Sequence, residues 1–407
     1  MKEFFKVADI ETVLSYKTRF KRVETEQIPV QEALGRVLAG DIPAPHDIPG
    51  FDRSTMDGFA VRAASTFGAS EGNPAYLTIT GAIRMGRQPD CTVEPGQAAR
   101  IATGGMLPPG ADSVVMLEHA DILDDTTIEV YRSVTPGRHV VAGDEDAAAG
   151  TVLIKAGCRI RPQELGVFAA CGISRVPVFR RPMVGIISTG DEVVAPDKTP
   201  GPGQIRDVNG FTLAGLVRQA GGDSRHFGIV ADQYDALLER CRKALSETDL
   251  VLISGGSSVG ARDHTLDVLS ALPENHILVH GVSIRPGKPA ILARCGARAF
   301  WGLPGHVTSA MIVFMILVKP FLTWIGGQDT DIPMYSQARL SRNLASAQGR
   351  VDFVRVRLVH RDDEVWAEPI LGGSGLIRTM VEADGLIRLG LNSEGLEKGA
   401  VVDVMRL

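Results

Sequence analysis

The sequence predicts a multidomain protein of mixed α/β and β architecture, with a doubly wound α/β unit at its centre. Three observations carry that expectation. At 407 residues the chain exceeds what a single hydrophobic core fills, so about two to four domains are expected. Between residues 180 and 327 strand-like and helix-like runs alternate, the pattern of a parallel sheet covered by helices on both faces. Turn-rich β-like segments occupy the chain before and after that unit.

Taken in order, residues 8–40 read as mostly helical, with Val13, Leu14, Ile28, Val30, Leu34 and Val37 spaced among charges and Pro29 dividing the stretch in two. Pro43, Pro45 and Pro49 then end regular structure. From residue 50 to about 148 short strand-like runs (76–80, 98–101, 113–117) are separated by Gly104-Gly105 and Pro108-Pro109-Gly110, which suits a small β-rich domain. The α/β unit begins with the strand-like 184–187. It continues with a helix over 211–220, an amphipathic helix over 232–247, a strand over 250–253 and a helix over 263–272. Strands over 290–292 and 299–301 follow, and a helix from His306 to about Trp324 closes the unit. Beyond Gly326-Gly327 the chain turns all-β, and the alternation Val354-Arg355-Val356-Arg357-Leu358 reads as a half-buried strand.

Composition excludes several function classes. A formal net charge of −5 argues against a nucleic-acid binder working by bulk electrostatics, although one local pocket can still be positive. The five cysteines are far apart and form no C-x-x-C, so free thiols in a reducing cytoplasm are expected, without a disulfide framework or metal cluster. Met1-Lys2-Glu3-Phe4-Phe5-Lys6 lacks the apolar stretch of a signal peptide, and the apolar run Ala310–Val318 is short for a membrane span of roughly 20 residues. No membrane or nucleic-acid partner is expected.

Five constellations could carry chemistry. Ser254-Gly255-Gly256-Ser257-Ser258-Val259-Gly260-Ala261-Arg262-Asp263 follows a strand and opens a helix, where backbone N–H groups attract anions; phosphate binding and a structural strand–helix turn both fit. Its spacing is neither that of a P-loop, since Ala261-Arg262 stands where Lys-Ser/Thr is required, nor a G-x-G-x-x-G. Ser188-Thr189-Gly190-Asp191-Glu192 also ends a strand; its paired acids suit a divalent cation or an amino-bearing heterocycle, and equally a capped helix start. In Arg285-Pro286-Gly287-Lys288-Pro289 a stiffened backbone presents two cations three residues apart, for an oxyanion or as a solvated basic turn. Trp301-Gly302-Leu303-Pro304-Gly305-His306 reads as a buried turn, with His306 capping or packing rather than catalysing. Phe51-Asp52-Arg53-Ser54-Thr55-Met56-Asp57-Gly58 is an unusually polar loop, and Thr103-Gly104 and Asp144-Glu145-Asp146 are similar cases.

Together, and in this order, these segments resemble the MoeA family, which includes the E-domains of plant and animal homologues such as gephyrin. Gly373-Ser374-Gly375 and Ala383-Asp384-Gly385-Leu386-Ile387 extend the match to nearly the whole chain. The resemblance implies four domains: an elongated one from 1–45 and 150–178, a β-rich domain inserted at 46–149, an α/β domain at 179–327 similar to molybdopterin adenylyltransferase, and a C-terminal β-barrel at 328–407. It also implies an activity, insertion of molybdate into adenylylated molybdopterin with release of AMP, in a cytoplasmic homodimer. Molybdopterin adenylyltransferase and molybdoenzymes are the implied upstream and downstream partners.

Residue roles follow from the same resemblance. Asp191, Glu192 and Asp263 would hold Mg2+ or another divalent cation, and Gly255, Gly256 and Ser257 would cradle the pterin phosphate, beside Ser188, Thr189, Gly190 and Pro304. Arg285 and Lys288 would bind molybdate or the pyrophosphate, while Asp57, Thr103 and Asp146 would complete the site across the dimer. The chain departs from the family where Leu-Pro-Gly-Asn-Pro-Val-Ser becomes Leu303-Pro304-Gly305-His306-Val307-Thr308-Ser309, where Gly-Gly-Val-Ser becomes Gly255-Gly256-Ser257-Ser258, and where a lysine becomes Arg285. These changes cluster at the implied oxyanion pocket and leave tungstate as a competitor of molybdate. Two other readings are a receptor scaffold, which would not need the acids at 57, 146, 191, 192 and 263, and a specialised paralogue serving one enzyme.

Overall fold

The computed structural model describes residues 7–255, 264–329 and 333–407. Its centre is a six-stranded sheet in the order Asp223–Val230, Met183–Thr189, Leu250–Ser254, Arg298–Leu303, Ile291–Cys295, Asn275–His280. The first four strands are mutually parallel, and Ile291–Cys295 runs antiparallel to both of its neighbours. Helices Asn209–Gln219 and Val307–Ile325 cover one face, and Tyr234–Glu247 and Thr265–Ala271 the other. This explains the unbroken apolar run of the central strand. Leu250 and Leu252 enter one core, Val251 and Ile253 the opposite one, and all four are fully buried. Trp301 sits in the first of these cores, fully buried, with its ring edge-on to Phe321 at 5.1 Å.

The reading of residues 20–40 as helical is overturned. Helix is limited to Ile10–Ser15 and the 3-10 turns Tyr16–Arg19 and Val30–Glu32, and Val13, Phe20 and Val23 pack into the α/β core. Thr25–Pro29 is instead a strand paired antiparallel with Arg175–Phe179, which also pairs with Val37–Leu38. Ile28, Leu38, Ile154, Phe168, Val176 and Val178 share one core, so chain segments about 150 residues apart supply each other's hydrogen bonds. Local helical spacing cannot compete with a ladder that satisfies the backbone of both partners.

Residues between these two segments form an open half-barrel of six strands, ordered Ser113–Met116, Gly58–Val61, Gln97–Ile101, Ala75–Ala82, Thr127–Val130, Ala120–Ile122. At the carboxyl end, Tyr335–Leu340, Val351–Arg361, Glu364–Pro369, Gly385–Leu389 and Val401–Arg406 close into a five-stranded barrel. Ile284–Arg285 from the α/β unit adds in parallel to Val351–Asp352 at the edge of that barrel, welding the two units together. The half-buried alternation expected for residues 354–358 is modified. Arg355 is only 8% exposed, because Gly372 to Thr379 lies over it: Nη1 donates to Thr379 Oγ1 at 2.5 Å and Nη2 to the Gly372 carbonyl at 2.8 Å.

All five cysteines are free, and burial pushes the Cys241 thiol up to about 12 and Cys295 up to about 11, which keeps both protonated and inert. Among the described residues one helix, Val307–Ile325, matches a membrane span in length and apolarity, a longer apolar helix than the run 310–318 suggested, and two-thirds of it is buried inside the fold.

Trp301 provides a direct test of this core. Its Nε1 is buried without a hydrogen-bond partner, so Trp301→Phe should cost under about 1.5 kcal/mol while Trp301→Ala costs about 3–5 kcal/mol, read from denaturant midpoints. Equal losses for both variants would show that the ring is not packed as described.

Candidate functional site

The central sheet has a topological switch. From Met183–Thr189 the chain goes first to Asp223–Val230 on one side, then crosses to Leu250–Ser254 on the other. Crevices outside the carboxyl ends of strands at such a point are where doubly wound sheets bind ligands. Here the ends of Met183–Thr189, Leu250–Ser254 and Arg298–Leu303 converge. Gly255 has φ +105°, and a Cβ on it would lie 2.3 Å from the Thr189 carbonyl oxygen, so only glycine permits the approach. Gly305 closes in from the third strand end, 3.7 Å from Gly255 by the same measure.

A cavity of about 630 Å3 opens there, lined by Ser188, Thr189, Gly190, Glu192, Ser254, Gly255 and Pro304, together with Asp207, Asn209, Asp232 and His306. The buried hydroxyls do not point freely into it. Ser188 Oγ donates to Asp207 Oδ2 at 2.8 Å, and Thr189 Oγ1 donates to Asp232 Oδ1 at 2.6 Å. Asp232 N donates in turn to Asp191 Oδ1 at 3.1 Å, and the Glu192 carboxylate folds back over Gly190. Asp207 also accepts from Gly210 N at 2.9 Å, holding the start of the Asn209–Gln219 helix. Asn209 is 8% exposed; its Nδ2 donates to the Gly305 carbonyl at 2.8 Å and its Oδ1 is buried without a partner.

Asp207, Asn209 and Asp232 escaped the sequence reading. An acid just before a predicted helix, as in Asp207-Val208-Asn209-Gly210, was the available signal.

A second cavity of about 990 Å3 adjoins the first, between the α/β unit and the barrel. Arg285, Lys288, Arg350 and Arg355 line it, against Asp352 as the single acid among the described residues. Asp352 is 4% exposed and accepts from Ser346 Oγ at 3.0 Å. Arg285 lies 3.6 Å from it, and Arg350 Nε lies 3.1 Å away as an ion pair without hydrogen-bond alignment. Burial lowers the Arg355 guanidinium from its ordinary value. Four cations around one acid leave this cavity with a positive balance suited to an oxyanion. Arg350 and Arg355 come from the barrel; no sequence pattern tied them to Arg285, because the edge pairing that brings them together is non-local.

Asp57, Thr103 and Asp146 lie elsewhere, and neither cavity is lined by any of them. They share one exposed face of the half-barrel. Asp57 Oδ1 accepts from Thr103 N at 2.7 Å, and that backbone bond, ahead of a side-chain one from Thr103, holds its carboxyl below the usual carboxylate range. Gly104 N donates to the Ser54 carbonyl at 2.7 Å, Gly50 N to that of Gly143 at 2.8 Å, and Asp146 N to that of Ile48 at 3.2 Å. Three segments distant in sequence thus form a single patch. Gly256, Ser257 and Asp263 lie outside the described residues.

Asp191 and Glu192 are hard oxygen donors of the kind Mg2+ takes, and both are exposed at a strand end. Among the described residues no three His, Cys, Asp or Glu side chains converge on one point.

Comparison with known proteins finds relatives along nearly the whole chain. Family models match in three blocks: the MoeA N-terminal region (domain I and II) over residues 7–172, a probable molybdopterin binding domain over 185–324, and the MoeA C-terminal region (domain IV) over 337–407. A putative molybdopterin biosynthesis protein of Methanocaldococcus jannaschii is 37% identical over 98% of this chain and 95% of its own length. The molybdopterin molybdenumtransferase of Bacillus subtilis is 32% identical over 95% and 90%. Among solved structures, a MoeA protein from Pyrococcus horikoshii OT3 superposes with a TM-score of 0.86 at 30% identity, covering 99% of this chain and 100% of its own.

The tight approach at the strand ends can be tested with two glycines. Gly255→Ala forces a Cβ against the Thr189 carbonyl and should cost about 2–4 kcal/mol. Gly166→Ala, in the Pro162–Ala170 helix with open space around it, should instead stabilise by about 0.5–1 kcal/mol. A neutral Gly255→Ala would show that the strand ends do not meet.

Proposed function

This chain belongs to the MoeA family, and we propose on that premise that it inserts molybdate into adenylylated molybdopterin with release of AMP. The observation that carries this reading is the adjacency of two unlike cavities, one lined by acids and hydroxyls at the sheet's switch point, the other by four cations. A substrate with a phosphate anhydride and an oxyanion co-substrate need such neighbouring environments.

In this reading the pterin phosphate rests against Gly255 and the following Gly256 and Ser257, while Arg285 and Lys288 hold molybdate or the pyrophosphate, with Arg350 and Arg355 adding to the positive field. Asp191 and Glu192, with Asp263, would hold Mg2+, whose charge lets a pyrophosphate lie beside carboxylates and supplies Lewis-acid assistance to AMP departure. The chemistry balances. Condensing molybdate with two thiols of the pterin forms two Mo–S bonds and releases one water; cleaving the anhydride consumes one water and frees AMP. Asp207 and Asp232 position Ser188 and Thr189 at the cavity floor.

We further read the protein as a cytoplasmic homodimer in which Asp57, Thr103 and Asp146 of one copy complete the cavities of the other. Support comes from a patch of exposed polar residues that line neither of the two cavities described for their own chain. A receptor scaffold would not require the paired acids, and a specialised paralogue with another oxyanion preference differs only in which anion the second cavity retains.

Two experiments test the reading. AMP release from adenylylated molybdopterin, with magnesium present, should depend on added molybdate, and parallel reactions with tungstate define the preference; molybdate-independent release, or none, would remove the transfer assignment. Asp57→Ala and Lys288→Ala should each be nearly inactive alone. If the site is shared, mixing them before subunit exchange should restore about a quarter of wild-type rate, since about half the dimers are mixed and each holds one intact site. No recovery in demonstrably mixed dimers would place Asp57 outside the site.

A further inference from the structure

Among the described residues, only Pro289, Pro304 and His306 line both cavities. The prolines offer no side-chain hydrogen bond, so among the described residues His306 is the one hydrogen-bonding side chain common to the two spaces. It stands where the family pattern has asparagine. The structure does not use it as the cap or packing residue expected from sequence. His306 occupies the N-cap position of the helix that follows, yet makes no side-chain capping bond, and it is exposed. Its Nδ1 lies 2.9 Å from Ser374 Oγ, on the barrel loop covering the second cavity. Thr308 N donates to the Ser374 carbonyl at 3.0 Å, so loop and helix start are tied at two points. Gly375 stands against the other edge of the ring, where a Cβ would be 3.8 Å from Cδ2.

This clamp assigns the two ring nitrogens different work. With Nδ1 engaged by Ser374, Nε2 is the nitrogen left to meet a ligand. Either atom of this pair can donate; when the Ser374 hydroxyl donates to Nδ1, the neutral ring carries its proton on Nε2 and donates from there. An anionic ligand selects that tautomer, because the opposite one would turn an acceptor towards it.

We propose that His306 is a ligand-binding residue that donates from Nε2 to anionic oxygens at the junction of the two cavities, so that one side chain holds the phosphate-bearing substrate and the oxyanion in register. The inference rests on the transfer reading above and concerns a contact that reading does not require. Its distinguishing consequence is that loss of one side chain weakens two different ligands.

The test compares full-length wild type, His306→Leu and His306→Gln, titrated separately with molybdate and with adenylylated molybdopterin by calorimetry, alongside molybdate-dependent AMP release. His306→Leu should raise the dissociation constant for both ligands about tenfold, as expected for one lost hydrogen bond to a charged group. His306→Gln, whose side-chain amide supplies an N–H at similar reach, should recover most of that loss. Thermal midpoints should stay together, since the ring is exposed. A loss confined to one ligand, no loss at all, or Gln behaving like Leu would each overturn the proposal. Failure of the transfer reading shows differently: wild type binds both ligands yet releases no AMP, and the binding comparison still decides the role of His306.

Discussion

Where three parallel strands end side by side, the backbone leaves no space for a side chain, and the rest of the site is arranged around that contact. Gly255 meets the Thr189 carbonyl at a distance that any Cβ would violate, and Gly305 approaches from the neighbouring strand. Both faces of the sheet are buried beneath helices, so the strands cannot slide or splay to relieve the crowding. Loop segments carrying hydroxyls and acids therefore leave the sheet from fixed origins. Their internal bonds, Ser188 to Asp207 and Thr189 to Asp232, hold those acids around the cavity at the switch point.

A second fixed element connects this site to the barrel. Ile284–Arg285 joins the barrel edge beside Val351–Asp352, which delivers Arg285 and the buried Asp352 to the same wall. A lone buried carboxylate is costly; here Ser346 and two flanking guanidinium groups offset its burial. The result is an asymmetry of charge between adjoining cavities, three acids against Arg206 on one side and four cations against Asp352 on the other, with His306 at the seam. An anion is drawn towards the cationic side, and the acidic side accepts one only with a cation beside it.

The half-barrel solves a different problem. Gly58, where a Cβ would stand 1.9 Å from the Val115 carbonyl oxygen, lets its strand seat tightly between Gln97–Ile101 and Ser113–Met116. Asp57 is thereby held at the strand's outer end with its carboxylate bonded to Thr103 N. This patch lines neither cavity of its own chain; in the dimer reading it completes those of the other copy.

Much of this was legible in the sequence, and for identifiable reasons. Apolar runs marked four of the six central strands, amphipathic spacing marked the helix at 232–247, and the glycine-rich and Arg-Pro-Gly-Lys-Pro segments marked the strand ends, because each of these signals is carried by neighbours in the chain; the edge strands Asp223–Val230 and Asn275–His280, more polar and half-exposed, carried no such signal. What escaped depends on partners remote in sequence. Thr25–Pro29 became a strand only because Arg175–Phe179 was there to pair with it, and Arg355 could be buried only because residues 372–379 fold over it. Asp207 and Asp232 acquired their places from hydroxyls on another strand, and His306 acquired its direction from Ser374. By itself the sequence determined the family, the fold class and most of the segments that have chemistry to offer. Tertiary structure alone decided which of them face the same space, because that depends on strand pairing and domain docking, and these form between segments whose separation along the chain carries no local signal.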